Sequence, residues 1–486
     1  MPSRFVACCN CGYGKIRRVD MELPVLQVIA ARRRFFSIAA AAAAALVSGC
    51  SAQNNPVIAP TSTTTGASPS PKPSTGGTVT QTGTSATPTG AGIQQLHSDE
   101  SRRADVAGAG GDAERALAGF GAEMLRRVHD GTAPNTALSP YSLVTVLAMA
   151  RAGAKGATGE QLDTALELVG VDAQGAAITA IDDALAAAVA TARGRKSEMI
   201  IEAANQTWVQ TGFDVHQEYL DELARQFGVA AVAADFAADS EAARLAINAW
   251  VADRTRTLIP ELFGSGSIDA STVLVLVNAL YLKAAWAAPF TPNPSTTPFA
   301  TAGGGSKPVT LMRAPSPVPG RKGNGWMSAY AGYVGQGLAM TILLPDDLDV
   351  TLAKLDADLI AEANATSGQY SFQMPGFEIH STPDVQTAIK AMGVTDLFDA
   401  NSVDLSGIAG GKGDLVATSL VHEAVVLVDE NGTEAAAATG LGVSATGLPQ
   451  LDGEIVVDKP FLFWIHDTAT GAPIFLGVVG DPTATG

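Results

Sequence analysis

The 486-residue chain predicts an α+β domain, and three observations predict it. Apolar residues recur at helical spacing from Ala113 onward, a continuous aliphatic run at residues 273–277 reads as a buried strand, and strand-like runs broken by turn residues fill the carboxyl end. Helices therefore come early and strands late. With 47% hydrophobic residues the chain can bury a large core, once its two atypical amino-terminal segments are set aside.

The first segment reads as an export signal over residues 1–50. Arg32, Arg33 and Arg34 precede Phe35-Phe36 and an apolar run at residues 38–47, too short for a stable span of about 20 residues. Paired arginines before Phe35-Phe36 are similar to the twin-arginine export pattern, and the whole stretch to a bacterial signal. Val47-Ser48-Gly49-Cys50 resembles a lipobox, which implies lipidation of Cys50; a plain secretory signal cut at small residues is the alternative. Met21 is a second candidate start. Residues 51–110 form the second segment. Their Thr, Ser, Pro, Gly and Ala content cannot build a core and predicts a disordered tether, leaving 111–486 as the folded domain.

Within that domain, Leu117, Phe120, Met124, Leu125 and Val128 make one apolar helix face, opposite Arg115, Glu123, Arg126 and Arg127. Ser139-Pro140 then suits a cap and first helical position for a second helix, with Gly153 as its stop. The run Val273-Leu274-Val275-Leu276-Val277 is apolar on both faces, as a central strand covered by helices requires. Residues 338–344 before Pro345-Asp346 predict another strand, and residues 461–466 and 474–479 a pair around the 467–471 turn.

Composition excludes several functions. A formal charge of −17 argues against nucleic acid as a partner. Cys8, Cys9, Cys11 and Cys50 all precede the domain, so it has no disulfide framework or cysteine metal cluster, and six scattered histidines without HExxH spacing argue against a zinc enzyme. A hydrolase would need a GxSxG elbow, which is missing. No cofactor or metal is expected.

The segment from Glu430 to Thr439 is unusual. At strand period, Thr433, Ala435, Ala437 and Thr439 share one face, and Glu434 is the only charge on the other. Small residues at every inward position would let such a strand enter a crowded sheet, with Gly432 as a pivot. Alanine is also the best helix former, so a helix or an alanine-rich loop competes with this reading.

Motifs in order over most of the domain resemble the serpin family of protease inhibitors. They are Asn135-x-x-x-Ser139-Pro140-x-Ser142, Gly153-Ala154-x-Gly156-x-Thr158-x-x-Gln161, Ala204-Asn205-x-x-Trp208, Ile247-Asn248-x-Trp250-Val251, Val277-Asn278-Ala279-x-Tyr281-x-Lys283-x-x-Trp286 and Asp458-Lys459-Pro460-Phe461. The resemblance implies helices packed on a large central mixed β-sheet, further sheets, and an exposed reactive-centre loop that a protease attacks and that then inserts as a strand. It makes Glu430, Gly432, Thr433, Ala435, Ala437 and Thr439 the hinge of that loop, and Ser139, Ser142, Asn278 and His422 a buried shutter with Trp286 at the breach. Forward spacing places the cut bond at Thr446-Gly447, with Ala445 as the alternative; backward spacing points to Pro449, a poor substrate residue. Small residues there imply elastase-like or subtilisin-like targets. The implied protein is not an enzyme but a monomeric suicide inhibitor of serine or cysteine endopeptidases, held outside the cell membrane through Cys50. A non-inhibitory binding protein of the same family is the alternative.

Overall fold

The computed structural model describes residues 92–104, 109–194, 199–434 and 450–485, within the compact unit Ser74–Gly486. The described chain begins with β1 (Ile93–Leu96), α1 (Ala109–Val128), β2 (Asn135–Leu138), α2 (Pro140–Gly153), α3 (Gly156–Leu166) and α4 (Val171–Ala192). Next come β3 (Met199–Gln210), α5 (Gln217–Glu222), β4 (Ala231–Ala234), α6 (Phe236–Arg254) and β5 (Leu274–Ala285). Strands then dominate, with β6 (Thr291–Ala300), β7 (Ser306–Arg313), β8 (Val318–Lys322), β9 (Trp326–Gly332) and β10 (Leu338–Pro345). The helices α7 (Leu348–Leu352) and α8 (Ala357–Asn364) precede β11 (Gly368–Pro375), β12 (Phe377–Ser381) and α9 (Val385–Ala391). The chain closes with β13 (Ser419–Leu420), β14 (Ala424–Val428), β15 (Gly432–Thr433), β16 (Gly453–Val456), β17 (Phe461–Asp467) and β18 (Pro473–Val479).

These strands form two sheets. One has the order β1-β4-β3-β5-β15-β14-β12 with β13 also on β5; the other runs β2-β18-β17-β10-β9-β8-β11-β7-β6 with β16 on β11. The α+β expectation holds, and each predicted element is present. Leu117, Phe120, Met124 and Leu125 are buried on α1, as their spacing requires. The two strands at the carboxyl end, β17 and β18, pair antiparallel, and the Asp467 carboxylate accepts the N–H groups of Ala469 and Thr470 to fix their turn.

One expectation changes. Residues 93–104 do not finish a tether. Ile93 to Leu96 pair antiparallel with Ala234 to Ala231 of β4, Arg102 is ion-paired with buried Asp182 of α4, and Arg103 donates to Gln226 at 2.6 Å. An edge strand of four residues, bonded on one side only, needs little apolar content, and so its sequence resembles linker. Gly153 is the last residue of α2, the stop expected of it, and a Cβ there would lie 2.1 Å from Ile408 Cγ1, so it is also small because the chain packs against it.

The strand β5 organises the molecule. Leu274, Leu276, Leu280 and Leu282 join the main core, while Val275, Val277 and Ala279 join a second core under α6 with Trp208 and Trp250. One edge of β5 is paired with β3 from Leu274 to Ala284. The opposite edge meets β13 only at Val275 and Leu276 and β15 only at Ala284 and Ala285. Among the described residues, 277–283 have no strand partner on that edge. A long central strand with an unpaired stretch inside a sheet is an unsatisfied row of backbone donors and acceptors.

Candidate functional site

The open edge of β5 begins where the Glu430 segment enters the sheet. Asp429 Oδ1 accepts the N–H groups of Asn431 at 2.7 Å and Gly432 at 3.0 Å, which turns the chain back after β14. Gly432 and Thr433 then lie between β5 and β14, with Gly432 opposite Ala285, and Thr433 opposite both Ala284 and Val428. Thr433 is 3% exposed and points into the main core, on the side its period assigned. Its hydroxyl is 2.6 Å from that of Tyr333, whose ionisation burial pushes well above the ordinary tyrosine range.

Trp286 braces this point. Its indole stacks on Tyr333 with ring centroids 4.5 Å apart, its Nε1–H donates to the Asp429 carbonyl at 2.9 Å, and its backbone N–H donates to the Asn431 carbonyl. The Glu430 carbonyl accepts from the N–H of Phe290 at 2.8 Å. Among the described residues the Glu430 carboxylate has no ion-pair partner, so its backbone is what ties it to the sheet.

Beyond Thr433 the strand geometry stops. Glu434 has φ +50°, left-handed and rare outside glycine, while its N–H donates to the Leu427 carbonyl. Burial raises the pKa of its carboxyl, against the lowering effect of Tyr281 and of the Lys283 and Arg256 cations.

A polar cluster lies under the sheet farther down. His422 is buried, and its Nε2 accepts the backbone N–H of Ser139 at 3.0 Å. That bond requires a neutral ring, and burial lowers its pKa to about 4. Ser139 Oγ in turn accepts the N–H of Ser142 as the cap of α2. His422, Ser139 and Ser142 thus form one unit. Asn278 does not hydrogen-bond to them; its amide donates to Asn205 across the β3–β5 ladder. Asn205 and Tyr281 stand in the sequence motifs without a role of their own, and Tyr333 was missed outright. Their only signal would have been the register of strands distant in sequence.

Several expected positions lie outside the described residues: Ala435, Ala437 and Thr439 of the hinge, Ala445, Thr446 and Gly447 at the cut bond, and Cys50.

A family model described as Serpin (serine protease inhibitor) matches residues 115–482. The chain belongs to the serpin family. Leukocyte elastase inhibitor A of Mus musculus is 31% identical over 383 residues, covering 75% of this chain and 97% of that protein. Leukocyte elastase inhibitor of Bos taurus is 32% identical over 377 residues, covering 74% of this chain and 96% of that protein. Among solved structures, Serpin48 of Tenebrio molitor matches with TM-score 0.64 at 29% identity, covering 76% of this chain and 98% of that one. The native stressed conformation of Arabidopsis AtSerpin1 matches with TM-score 0.67 at 24% identity, over 77% of this chain and 99% of that one, a likeness of fold. The fold of this serpin is therefore shared from α1 through β18. The arm that carries β1 and Arg102 precedes the matched span.

Proposed function

We propose that this serpin inhibits serine endopeptidases as a suicide substrate, through cleavage of the segment after Thr433 and its insertion beside β5. One observation carries the reading: among the described residues the 277–283 edge of β5 has no strand partner, and Gly432 and Thr433 already sit at its upper end in strand register. Continued in that register, Ala435 opposes Leu282, Ala437 opposes Leu280 and Thr439 opposes Asn278, so every inward position receives a small side chain.

The covalent chemistry belongs to the protease. Its serine Oγ bonds to the carbonyl carbon of Thr446, the Thr446–Gly447 C–N bond breaks, and Gly447 leaves with a free amine. Freed at that end, the loop can zip down β5. From Gly432 to Thr446 is fourteen residue steps, roughly 46 Å at about 3.3 Å per residue, far enough to drag the acylated enzyme along the sheet and distort it before water completes hydrolysis. The leukocyte elastase inhibitors among the relatives support a target with a shallow primary pocket, which Ala445 and Thr446 would fit.

We further propose that the inhibitor acts outside the cell, with Cys50 acylated and residues 51–91 as spacer. Support comes from the Val47-Ser48-Gly49-Cys50 run and the arginines before residues 38–47. Cys50→Ser is expected to move the protein from the membrane fraction to the soluble one.

To test inhibition, the purified protein is mixed with elastase-like, subtilisin-like and trypsin-like enzymes and resolved on denaturing gels, with the released fragment weighed. An acyl complex with the first or second enzyme and a fragment starting at Gly447 are expected. Cleavage by all three with full enzyme activity retained would instead make this a non-inhibitory serpin.

A further inference from the structure

The chain contains two Asn-Gly steps, Asn324-Gly325 and Asn431-Gly432. At such a step the backbone nitrogen can approach the asparagine side chain, because glycine has no Cβ to hinder it. The first step lies in the exposed turn between β8 and β9. The second lies in the turn between β14 and β15, where the loop enters the sheet. Their amides differ. No hydrogen bond leaves the Gly325 N–H among the described residues, whereas the Gly432 N–H donates to Asp429 Oδ1 at 3.0 Å.

The Asp429 carboxylate meets both nitrogens that matter at this step. Its Oδ1 accepts the Gly432 N–H, and its Oδ2 accepts from the Asn431 side-chain Nδ2 at 3.4 Å. The Asp429 N–H donates to the Gly432 carbonyl at 3.0 Å, so an ordinary hairpin pair would send the Gly432 N–H back to the Asp429 carbonyl. That carbonyl accepts the Trp286 indole N–H. The nitrogen that can attack is thus held on a base and not on a peptide carbonyl, and the nitrogen that can leave sits on the other oxygen of the same base. Asn431 is half-buried, which leaves it open to water.

We propose that Asn431 is a self-modification site: its amide cyclises onto the Gly432 nitrogen with Asp429 as general base, and the isoaspartate that results retires the inhibitor. Gly432 N bonds to Asn431 Cγ as its proton passes to Asp429; the Cγ–Nδ2 bond breaks and ammonia leaves with that proton, closing a succinimide. Water then opens the ring, giving aspartate where it cuts the new Cγ–N bond and isoaspartate where it cuts the original C–N bond. Water enters and ammonia leaves, with no oxidant or cofactor. Isoaspartate carries the backbone through the former side chain and lengthens it. The Asn431 carbonyl that accepts the Trp286 N–H at 2.9 Å becomes a side-chain carboxylate, and Gly432 loses its register opposite Ala285. Aspartate leaves the backbone in place but sets a third carboxylate directly after Asp429 and Glu430. The loss of inhibition rests on the insertion reading above; the cyclisation does not.

The test holds the full chain warm at neutral pH and digests samples over time. The change of amide to acid is weighed in the peptides that carry Asn431 and Asn324, and an isoaspartyl methyltransferase labels the isoaspartate. Asp429→Asn keeps an oxygen that can accept both backbone N–H groups of the turn and removes only the base. Conversion of Asn431 is expected to be about 100-fold slower in that variant, the lower end for a positioned general base, while Asn324 converts at one rate in both proteins. Aged wild-type samples should lose protease trapping in step with the isoaspartate they gain. Asn431→Gln, whose longer side chain would have to close a larger ring, should keep its starting capacity through the same incubation. Conversion of Asn431 as fast in Asp429→Asn as in wild type, or an intact Asn431 beside a converted Asn324, would overturn the site. Aged protein rich in isoaspartate that still traps protease would overturn the retirement. Fresh protein that traps no protease would overturn the insertion reading itself, and the peptide masses would still decide the modification.

Discussion

The hydroxyl of Thr433 lies 2.6 Å from the hydroxyl of Tyr333, inside the sheet between β5 and β14. Gly432 and Thr433 are therefore already paired within the sheet. Thr433→Arg would bring a guanidinium into a buried site that is 3% exposed. The side chain would expel the strand, and the inhibitor should become a substrate. The ratio of inhibitor consumed to enzyme inactivated should rise about 100-fold or more, as a penalty of about 3 kcal/mol on insertion requires. Thr433→Ser should stay within a few-fold of wild type.

His422 and His466 give the protein an acid-sensitive core. Both are buried with pKa values lowered to about 4, against an ordinary 6.5. The folded state therefore binds fewer protons than the unfolded state between those values. The stability they contribute is complete above about pH 6.5, declines as pH falls toward 4, and changes little below that, with a swing of about 3 kcal/mol per histidine. Urea unfolding midpoints at pH 7 and pH 4.5 would show the loss. His422→Gln, whose amide oxygen can still accept from the Ser139 N–H, should remove about half of the pH dependence.

Gly153→Ala tests packing between α2 and the buried chain at Ile408. The added methyl would sit 2.1 Å from Ile408 Cγ1 and 3.2 Å from its backbone nitrogen. A loss of about 1–3 kcal/mol is expected from thermal or urea unfolding. Combined with Ile408→Ala, the loss should be smaller than the sum of the two single changes, because the second removes the clashing atoms.

The arm before α1 should behave as part of the domain. Arg102 is the cation paired with Asp182, a carboxylate that burial on α4 pushes up and that Tyr141 also contacts through a hydrogen bond. Arg102→Ala should destabilise by about 3 kcal/mol or more because it leaves a buried charge without its cation. Asp182→Asn in the same protein should restore part of the loss. If residues 93–110 were a tether, neither change would move the unfolding midpoint.

Local signals and distant ones were not equally legible in the sequence. Ser139-Pro140 marks the start of α2 through its own capping chemistry, and residues 273–277 announce a strand covered on both faces because no polar residue interrupts them. The inward period of Thr433 could be read from two-residue alternation, and the structure places it inward. What stayed hidden depends on register. Nothing local to Tyr333 says that its hydroxyl meets that of Thr433, and nothing near Asn278 says that its amide turns to Asn205 and not to His422. The arm from Ile93 to Arg103 was hidden for another reason: its fixing contacts are one edge ladder and two arginines, which in sequence resemble the end of a polar linker.

The central claim is that a cut loop becomes a strand beside β5. Hydrogen exchange of β5, measured before and after the loop is nicked, tests it most directly, because the 277–283 edge lacks a strand partner in the uncut protein among the described residues. The account predicts that amides facing that edge exchange much more slowly after nicking, and that the unfolding temperature rises with them. Unchanged exchange across 277–283 in a fully nicked protein would contradict it.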